Sequence, residues 1–268
     1  MINVISSPEN PIIKHIKQLT KRKMREQYQE YIIEGVRIIK DAWENEKTLK
    51  QILFCDELYE TAGGEELLEN LQQKGMASYK IPVQLFKELS DTQNPQGIMA
   101  VVSMDIHSME EILNRPQGFY IILDRIQDPG NMGTIIRTAD AAGADAIFIT
   151  KGSVDLYNSK TIRATMGSIF HVPILSTGTT SETIDILKAN GIKIVTTSLE
   201  GEKYYFEVDY KGLCGIIVGN EANGVQHEDM MASDILVKIP MPGKAESLNA
   251  SVAASIVMYE AVRQRVKI

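Results

Sequence analysis

Five continuous apolar runs in the C-terminal half, residues 119–123, 146–149, 192–195, 215–218 and 235–239, constrain the fold more than any other feature. A run without polar alternation suits a strand covered on both faces, the situation of parallel sheets whose crossover helices lie above and below. Between the runs the spacing predicts helices over 132–142, 160–166, 181–190 and 248–265. This alternation predicts an α/β domain with a parallel sheet and with loops gathered at the carboxyl ends of its strands, where such sheets take ligands.

From residue 3 to about 104 the alternation runs on a smaller scale. Pro11 opens a basic helix, residues 35–43 and 65–74 have helical apolar spacing, and a short helix follows Pro82. Residues 52–54, a stretch near Tyr79 and residues 98–102 read as strands of a second, smaller α/β unit. The segment 107–118, with Asn114, Pro116 and Gly118, reads as a linker, which divides the chain into domains 1–106 and 107–268.

A chain of 268 residues that is 44% hydrophobic and 24% charged can fill two modest cores. Its first ten residues have neither a basic nor an apolar targeting region, and Ser251, Ser255 and Glu260 interrupt the last helix before any run could span a bilayer. The expectation is a cytoplasmic protein with no membrane partner. Cys55 and Cys214 lie far apart in apolar runs, without CxxC spacing or a nearby His, so both are expected as reduced core residues and no metal is expected. A net charge of −7 argues against coating nucleic acid by bulk attraction. Yet Lys14, Lys17, Lys21, Arg22, Lys23 and Arg25 follow one another with no acidic residue between them, as an RNA contact or as a solvated helix face.

The chemistry concentrates in three loops. GxGxxG and GxxxxGK[ST] are missing, which counts against dinucleotide oxidoreductases and P-loop NTPases, and HExxH and GxSxG are missing too. Instead there are Asp128-Pro-Gly-Asn-Met-Gly-Thr-Ile-Ile-Arg137, Val218-Gly-Asn-Glu-Ala-Asn-Gly224 and Ile239-Pro-Met-Pro-Gly-Lys-Ala-Glu-Ser-Leu-Asn249. In the first, Asn131 can cap the following helix, and Arg137 can be a surface residue pairing Asp140 or Asp124. In the second, Gly219 permits close backbone approach to a ligand and Gly224 suits a positive φ. Glu221 can accept from ligand or partner amides, or cap a helix starting near Gln226. In the third, Pro240 and Pro242 remove two amide donors around Met241, and Ser247 stands in a good N-cap position for the last helix.

These segments, in this order and spacing, resemble the SpoU (TrmH) family of RNA ribose 2'-O-methyltransferases, which use S-adenosylmethionine. The resemblance implies that Arg137 is the catalytic arginine of the first motif and Asn131 its asparagine. It further implies that Glu221 belongs to the active-site framework, that Ser247 and Asn249 are polar active-site residues, and that Gly219, Ile239 and Leu248 bind the cofactor. Met241 and the loop residues Thr197, Ser198 and Leu199 are expected beside the cofactor as well. The segment 157–168 also looks like the family and offers Lys160, Arg163 and Ser168 as lesser candidates, for phosphate contacts or solvated ion pairs. His15, His107, His171 and His227 have no catalytic partner in sequence.

The N-terminal unit resembles the family's L30e-like substrate-binding domain over 31–37 and 92–97, where Glu34, Arg37, Asn94 and Gln96 could meet RNA. The whole then implies an L30e-like domain followed by a SPOUT-type parallel-sheet α/β-knot domain with a deep trefoil knot, assembled as a homodimer. Ribosomal RNA is the preferred substrate over transfer RNA, because an appended domain of this kind suits a folded ribosomal target. The alternatives are a tRNA 2'-O-methyltransferase and a non-catalytic RNA-binding adapter. Retention of Asn131, Arg137, Glu221, Ser247 and Asn249 together counts against the adapter.

Overall fold

The structure is a computed structural model that describes residues 3–266, so the outermost positions of the two expected domains, Met1, Ile2, Lys267 and Ile268, lie outside the described residues. Its contacts divide the chain into two units. The first runs to Ile106 and includes Tyr157–Ile162, and the second holds His107–Leu156 and the residues from Arg163 onward. The grouping of Tyr157–Ile162 with the first unit differs from the boundary read in the sequence; the Tyr157 ring meets Tyr31 at 4.5 Å and Ser159 donates to Asp91.

In the first unit the elements run β1 (Asn3–Val4), α1 (Pro11–Leu19), α2 (Arg22–Tyr28), β2 (Glu30–Glu34), α3 (Val36–Glu44), β3 (Leu49–Phe54), α4 (Gly64–Gln73), β4 (Ser78–Lys80), α5 (Val83–Leu89) and β5 (Ile98–Ser103). The sheet order is β1-β4-β3-β5-β2, with β5 antiparallel to both neighbours and the other pairs parallel. Strand β5 lies inside the sheet, which is why residues 98–102 read as one apolar run. At the start of α1, Asn10 accepts the Ile12 amide at 2.9 Å and Pro11 occupies the first turn, so Ile13, Ile16 and Leu19 turn one face into the core with Leu53, Phe86 and Val101.

The basic run is less available than its sequence suggests. Arg25 is 7% exposed and donates to the Leu19 carbonyl at 2.7 Å, satisfying the end of α1 rather than meeting solvent. Lys14 pairs Glu9 at 2.6 Å, Lys17 pairs Glu88 at 3.8 Å and Arg22 pairs Glu26 at 2.8 Å. Lys21 and Lys23 are exposed without an ion-pair partner among the described residues.

The expected linker contains a short helix, α6 (Met109–Leu113). There follow β6 (Phe119–Leu123), α7 (Pro129–Ala141), β7 (Ala146–Ile149), α8 (Ser159–Thr165), β8 (Ile174–Ser176), α9 (Thr180–Ala189), β9 (Lys193–Thr197), β10 (Lys203–Tyr204), β11 (Cys214–Val218), α10 (His227–Ala232), β12 (Ile235–Lys238) and α11 (Ala250–Arg265). All seven strands of the second sheet are parallel, in the order β10-β12-β9-β11-β6-β7-β8. The five apolar runs fall on its five inner strands, β12, β9, β11, β6 and β7. The sequence reading misses β8 and β10, which are short, partly exposed edge strands without a continuous apolar signal. Cys55 and Cys214 are buried and unpaired, and burial pushes the Cys214 thiol up to about 11.

Topology creates the cleft. From β6 the chain moves outward through β7 to β8, whereas from β9 and β11 it moves to β12 and the opposite edge. The carboxyl ends of neighbouring β6 and β11 therefore lead loops apart, the arrangement that opens a ligand crevice in parallel sheets.

Candidate active site

Strand β6 ends in Asp124, fully buried, and Arg125 turns back on it. The Arg125 Nε and Nη2 each donate to the Asp124 carboxylate at 2.8 Å, and the Thr180 hydroxyl donates to it at 2.5 Å. Arg125 adopts φ +52, the left-handed region that an arginine rarely takes. This posture lets Nη2 reach the Gly224 carbonyl at 3.1 Å while the Arg125 carbonyl accepts from the Asn220 amide at 2.8 Å. Arg125 thus ties the loop after β6 to the loop after β11. Sequence reasoning missed Arg125, because an arginine gives no sign of a left-handed turn. Asn220 had a signal: its Oδ1 accepts from the Ala222 and Asn223 amides, both at 3.0 Å, the habit of an Asn ahead of a Gly-closed turn.

The three motif segments meet in a hydrogen-bonded chain. Glu221 Oε2 accepts the Gln127 amide, and Oε1 accepts both the Asp128 amide and Asn131 Nδ2, all at 3.0 Å. Asn131 is 8% exposed, and its Oδ1 accepts Asn249 Nδ2 at 2.9 Å. Asn249 Oδ1 accepts the Ser251 amide at 2.9 Å and the Ser251 hydroxyl at 2.6 Å. Burial pushes the Glu221 carboxyl up, but the Asn131 amide and the Gln127 and Asp128 backbone donors outweigh it and hold the group below its ordinary value. Glu221 is therefore a carboxylate at neutral pH.

Several local expectations change. The cap of α7 is Asp128, whose carboxylate takes the Asn131 amide at 2.7 Å, so Asn131 is freed to face Glu221 and Asn249. The cap of α11 is Asn249 rather than Ser247, and Glu221 does not cap α10, which starts after Gln226 with no side-chain cap. Arg137 pairs neither Asp124 nor Asp140; the Asp140 carboxylate instead meets His171 Nδ1 at 2.9 Å. Six residues beyond Asn131, and so roughly 240° around α7, Arg137 is exposed and has no ion-pair partner among the described residues. The Asn131 and Asn249 amides and the Glu221 carboxylate are brought together, while Arg137 stands apart from them on α7. Of the lesser candidates, Lys160 and Arg163 fall in different units and Ser168 is buried.

A cavity of about 350 Å³ opens beside the network. Thr197, Ser198, Leu199, Gly219, Ile239, Met241 and Leu248, the seven expected cofactor residues, all line it, as does Ser247. They come from the carboxyl ends of β9, β11 and β12 and the loop before α11. Its aliphatic walls carry Val218, Val237 and Ile239; its charged lining is Glu200 and Glu221, with no basic side chain among the described lining residues. Such a space fits a flat apolar ring and tolerates a positive charge. Among the described residues there is no group of three or more His, Cys, Asp or Glu placed to hold a metal ion, and no helix long and apolar enough to cross a membrane.

Residues 118–259, which span all three motif segments, match the SpoU rRNA Methylase family. The chain belongs to that family. In this SpoU chain residues 10–100 match a second description, the MRM3-like substrate binding domain. The 23S rRNA (guanosine(2553)-2'-O)-methyltransferase RlmP of Bacillus subtilis (strain 168) is 36% identical over 95% of this chain and 97% of its own length. The 23S rRNA (uridine(2479)-2'-O)-methyltransferase of Streptomyces viridochromogenes is 32% identical, over 92% of this chain and 88% of its own. The AdoMet-bound rRNA methyltransferase from Sinorhizobium meliloti superimposes with a TM-score of 0.88 at 31% identity, covering 99% of both chains.

Within the SpoU cavity, the loop itself requires Gly219. A Cβ there would stand 2.6 Å from the Val225 nitrogen and 2.7 Å from the Gly224 carbonyl carbon, both backbone atoms. Gly224, at φ +63, closes the same loop. Gly219→Ala should displace residues 220–225 and weaken S-adenosylmethionine binding by tenfold or more, on the order of 1.4 kcal/mol. Calorimetric titration of the folded variant checks this, and wild-type affinity would show that the loop absorbs the methyl group without moving the cavity wall.

Proposed function

We propose that the protein transfers a methyl group from S-adenosylmethionine to a ribose 2'-hydroxyl of RNA, ribosomal RNA in preference to transfer RNA, with 1–106 as its substrate-binding domain and 107–268 as its methyltransferase domain. The observation that carries this reading is the direct bonding of Glu221, Asn131 and Asn249 next to a cavity whose lining includes every expected cofactor residue. Bound S-adenosylmethionine supplies an electrophilic methyl on a sulfonium cation. The residues present fit it: aliphatic walls for the adenosine, carboxylates and no basic side chain near the cation.

The protein's own contribution is placement. The Glu221 carboxylate, anchored to the amides of Gln127 and Asp128, holds the start of α7 against the cavity loop, and Asn131 passes that anchoring to Asn249. Ser247 lines the cavity and offers a hydroxyl to the ligand or the ribose. Arg137 has a guanidinium that is always charged, a poor base and a good clamp; its chemistry suits bidentate contact with the phosphate beside the target ribose and stabilisation of negative charge growing on the 2'-oxygen.

The exposed position of Arg137 agrees with a homodimer. Helix α11, packed on α7 through the Thr138 and Ser255 hydroxyls at 3.2 Å, leaves Val252 46% and Tyr259 50% exposed, seven residues apart on one face. An isologous pairing over this face covers both and brings α7 beside a second subunit. The trefoil knot in the C-terminal part of the fold and action in the cytoplasm, where ribosomal RNA is met, complete the reading. The two 23S relatives named above modify a guanosine and a uridine at the same ribose oxygen. A common ribose chemistry with different bases favours a catalytic site that addresses the sugar, leaving nucleotide choice to contacts elsewhere.

Transfer of tritiated methyl from S-adenosylmethionine to deproteinised ribosomal RNA and to transfer RNA, followed by digestion to nucleosides, tests the proposal. Label in a 2'-O-methyl nucleoside of ribosomal RNA is expected. Label on a base would overturn the ribose assignment, label confined to transfer RNA the choice of substrate, and RNA binding without transfer would favour the adapter. The full-length protein should also gain about 2.7 kcal/mol of stability at a hundredfold excess of S-adenosylmethionine over its Kd, read as a shift in the denaturation midpoint.

A further inference from the structure

The first unit has a groove between α3 and α4 that encloses about 670 Å³, roomier than the cavity of about 350 Å³ among the motif loops. Val36 and Leu67 are buried beneath it, and Trp43, the only tryptophan of the chain, is half-buried in its wall. Arg37 and Lys74 line it without an ion-pair partner among the described residues, and Lys40 has only a long pair to Glu44 at 3.8 Å.

Gln96 is fitted into this groove with care. The Val36 amide donates to its Oε1 at 2.8 Å and the Thr61 hydroxyl donates to its carbonyl at 3.3 Å. That bond to Oε1 settles which way the side-chain amide lies, so Nε2 is left as a donor with no acceptor among the described residues. Gly35 makes the arrangement possible. It sits at φ +116, and a Cβ there would stand 2.8 Å from Gln96 Oε1.

The geometry points to this groove as the seat of an unpaired base of the RNA substrate, stacked on Trp43 and read by Gln96 Nε2, with Arg37 and Lys74 at the flanking phosphates. The inference rests on the reading of the protein as an RNA methyltransferase and adds where its substrate-binding domain holds the RNA. An aromatic face, an oriented amide and nearby cations are what a splayed-out nucleotide needs, because its ring and edge are both free. A paired helix hides those edges. The charges agree, since three cations, Arg37, Lys40 and Lys74, face two lining carboxylates, Glu44 and Glu66. This slight excess suits one or two phosphates and not the dense charge of a duplex.

Trp43 makes the test direct, because tryptophan emission of the full-length protein, excited selectively over its ten tyrosines, reports this groove alone. Titration with a protein-free 23S rRNA transcript should quench the emission and saturate, while a short fully paired RNA duplex should leave it unchanged. Trp43→Leu should raise the RNA KM for methylation about five- to a hundredfold, the range of losing one base stack, with S-adenosylmethionine affinity unchanged. Trp43→Phe should restore most of it. Because Trp43 is partly in the core, Arg37→Glu and Lys74→Glu serve as surface variants; each should raise the RNA KM and flatten its salt dependence by about one phosphate contact. Unchanged emission with RNA that the enzyme methylates, quenching by duplex equal to that by the transcript, or wild-type RNA KM in the surface variants would overturn the groove assignment and leave methylation standing. Failure of the wild-type protein to methylate any RNA would instead remove the reading beneath it, and the emission titration would still decide whether the groove takes RNA.

Discussion

Arg137→Ala should lower single-turnover methylation, measured at saturating S-adenosylmethionine on a defined RNA, by about a hundredfold or more, the scale of removing one preorganised contact to a charge that grows in the transition state. Cofactor affinity should stay close to wild type, since Arg137 is not among the residues lining the cavity. Stability should stay close as well, because the side chain is exposed and has no ion-pair partner among the described residues to lose. Arg137→Lys should rescue little: an ammonium keeps the charge but lacks the planar fork. A folded Arg137→Ala enzyme reacting at the wild-type rate would move the chemistry to another residue, with Glu221 next.

Glu221→Ala should damage both halves of the site at once. It strips the acceptor from the Gln127 and Asp128 amides and from Asn131 Nδ2, three donors that together fix α7 against the cavity loop. Hydrogen bonds to a charged partner contribute about 1.5–3 kcal/mol each, but Glu221 is exposed enough for water to replace part of that. A net loss of about 1–3 kcal/mol in urea denaturation is expected, together with a fall of at least tenfold in S-adenosylmethionine affinity. The pH dependence has a definite sign. The folded carboxyl titrates below its ordinary value of 4.5, so its stabilisation is complete above the unfolded value and is lost as pH falls through the folded one. The gap in stability between wild type and Glu221→Gln should therefore be largest near neutrality and shrink in acid. A gap that is constant with pH would mean that the charge of Glu221 contributes nothing beyond its shape.

The central strands of the second sheet were legible because burial on both faces leaves little room for polar residues, so β6, β7 and β11 appear in the sequence as apolar runs, while β9 keeps only Ile194 and Val195 between Lys193 and two threonines. Edge strands β8 and β10 were not, since solvent on one side erases that signal. Helix starts blurred where two capping residues compete within a few positions. The sequence points to Asn131 and Ser247 as caps, but Asp128 and Asn249 are capping residue types too, and only the tertiary fold decides which oxygen meets the free amides. The same decision turned Asn131 and Asn249 toward each other, so the residues of the network could be named from the motifs while its bonds could not. Arg125 passes unmarked and Arg25 reads as part of a basic face for a shared reason: a charged side chain looks solvated until a backbone turn or a helix end gives it a buried partner.

Strand β11 is made after β9 yet lies between β9 and β6. During synthesis, which delivers about 5–20 residues per second, β6 and β9 are both available before the strand that must separate them. They have to stay apart, or come apart, to admit it. The wall of the cofactor cavity follows β11, and Asn249, which closes the polar network, follows later still. An emerging chain therefore has every strand of the first unit long before it has a place for a methyl donor. Competence to react arrives only once Asn249 has emerged, and a chain truncated ahead of it should keep its first unit and never modify RNA.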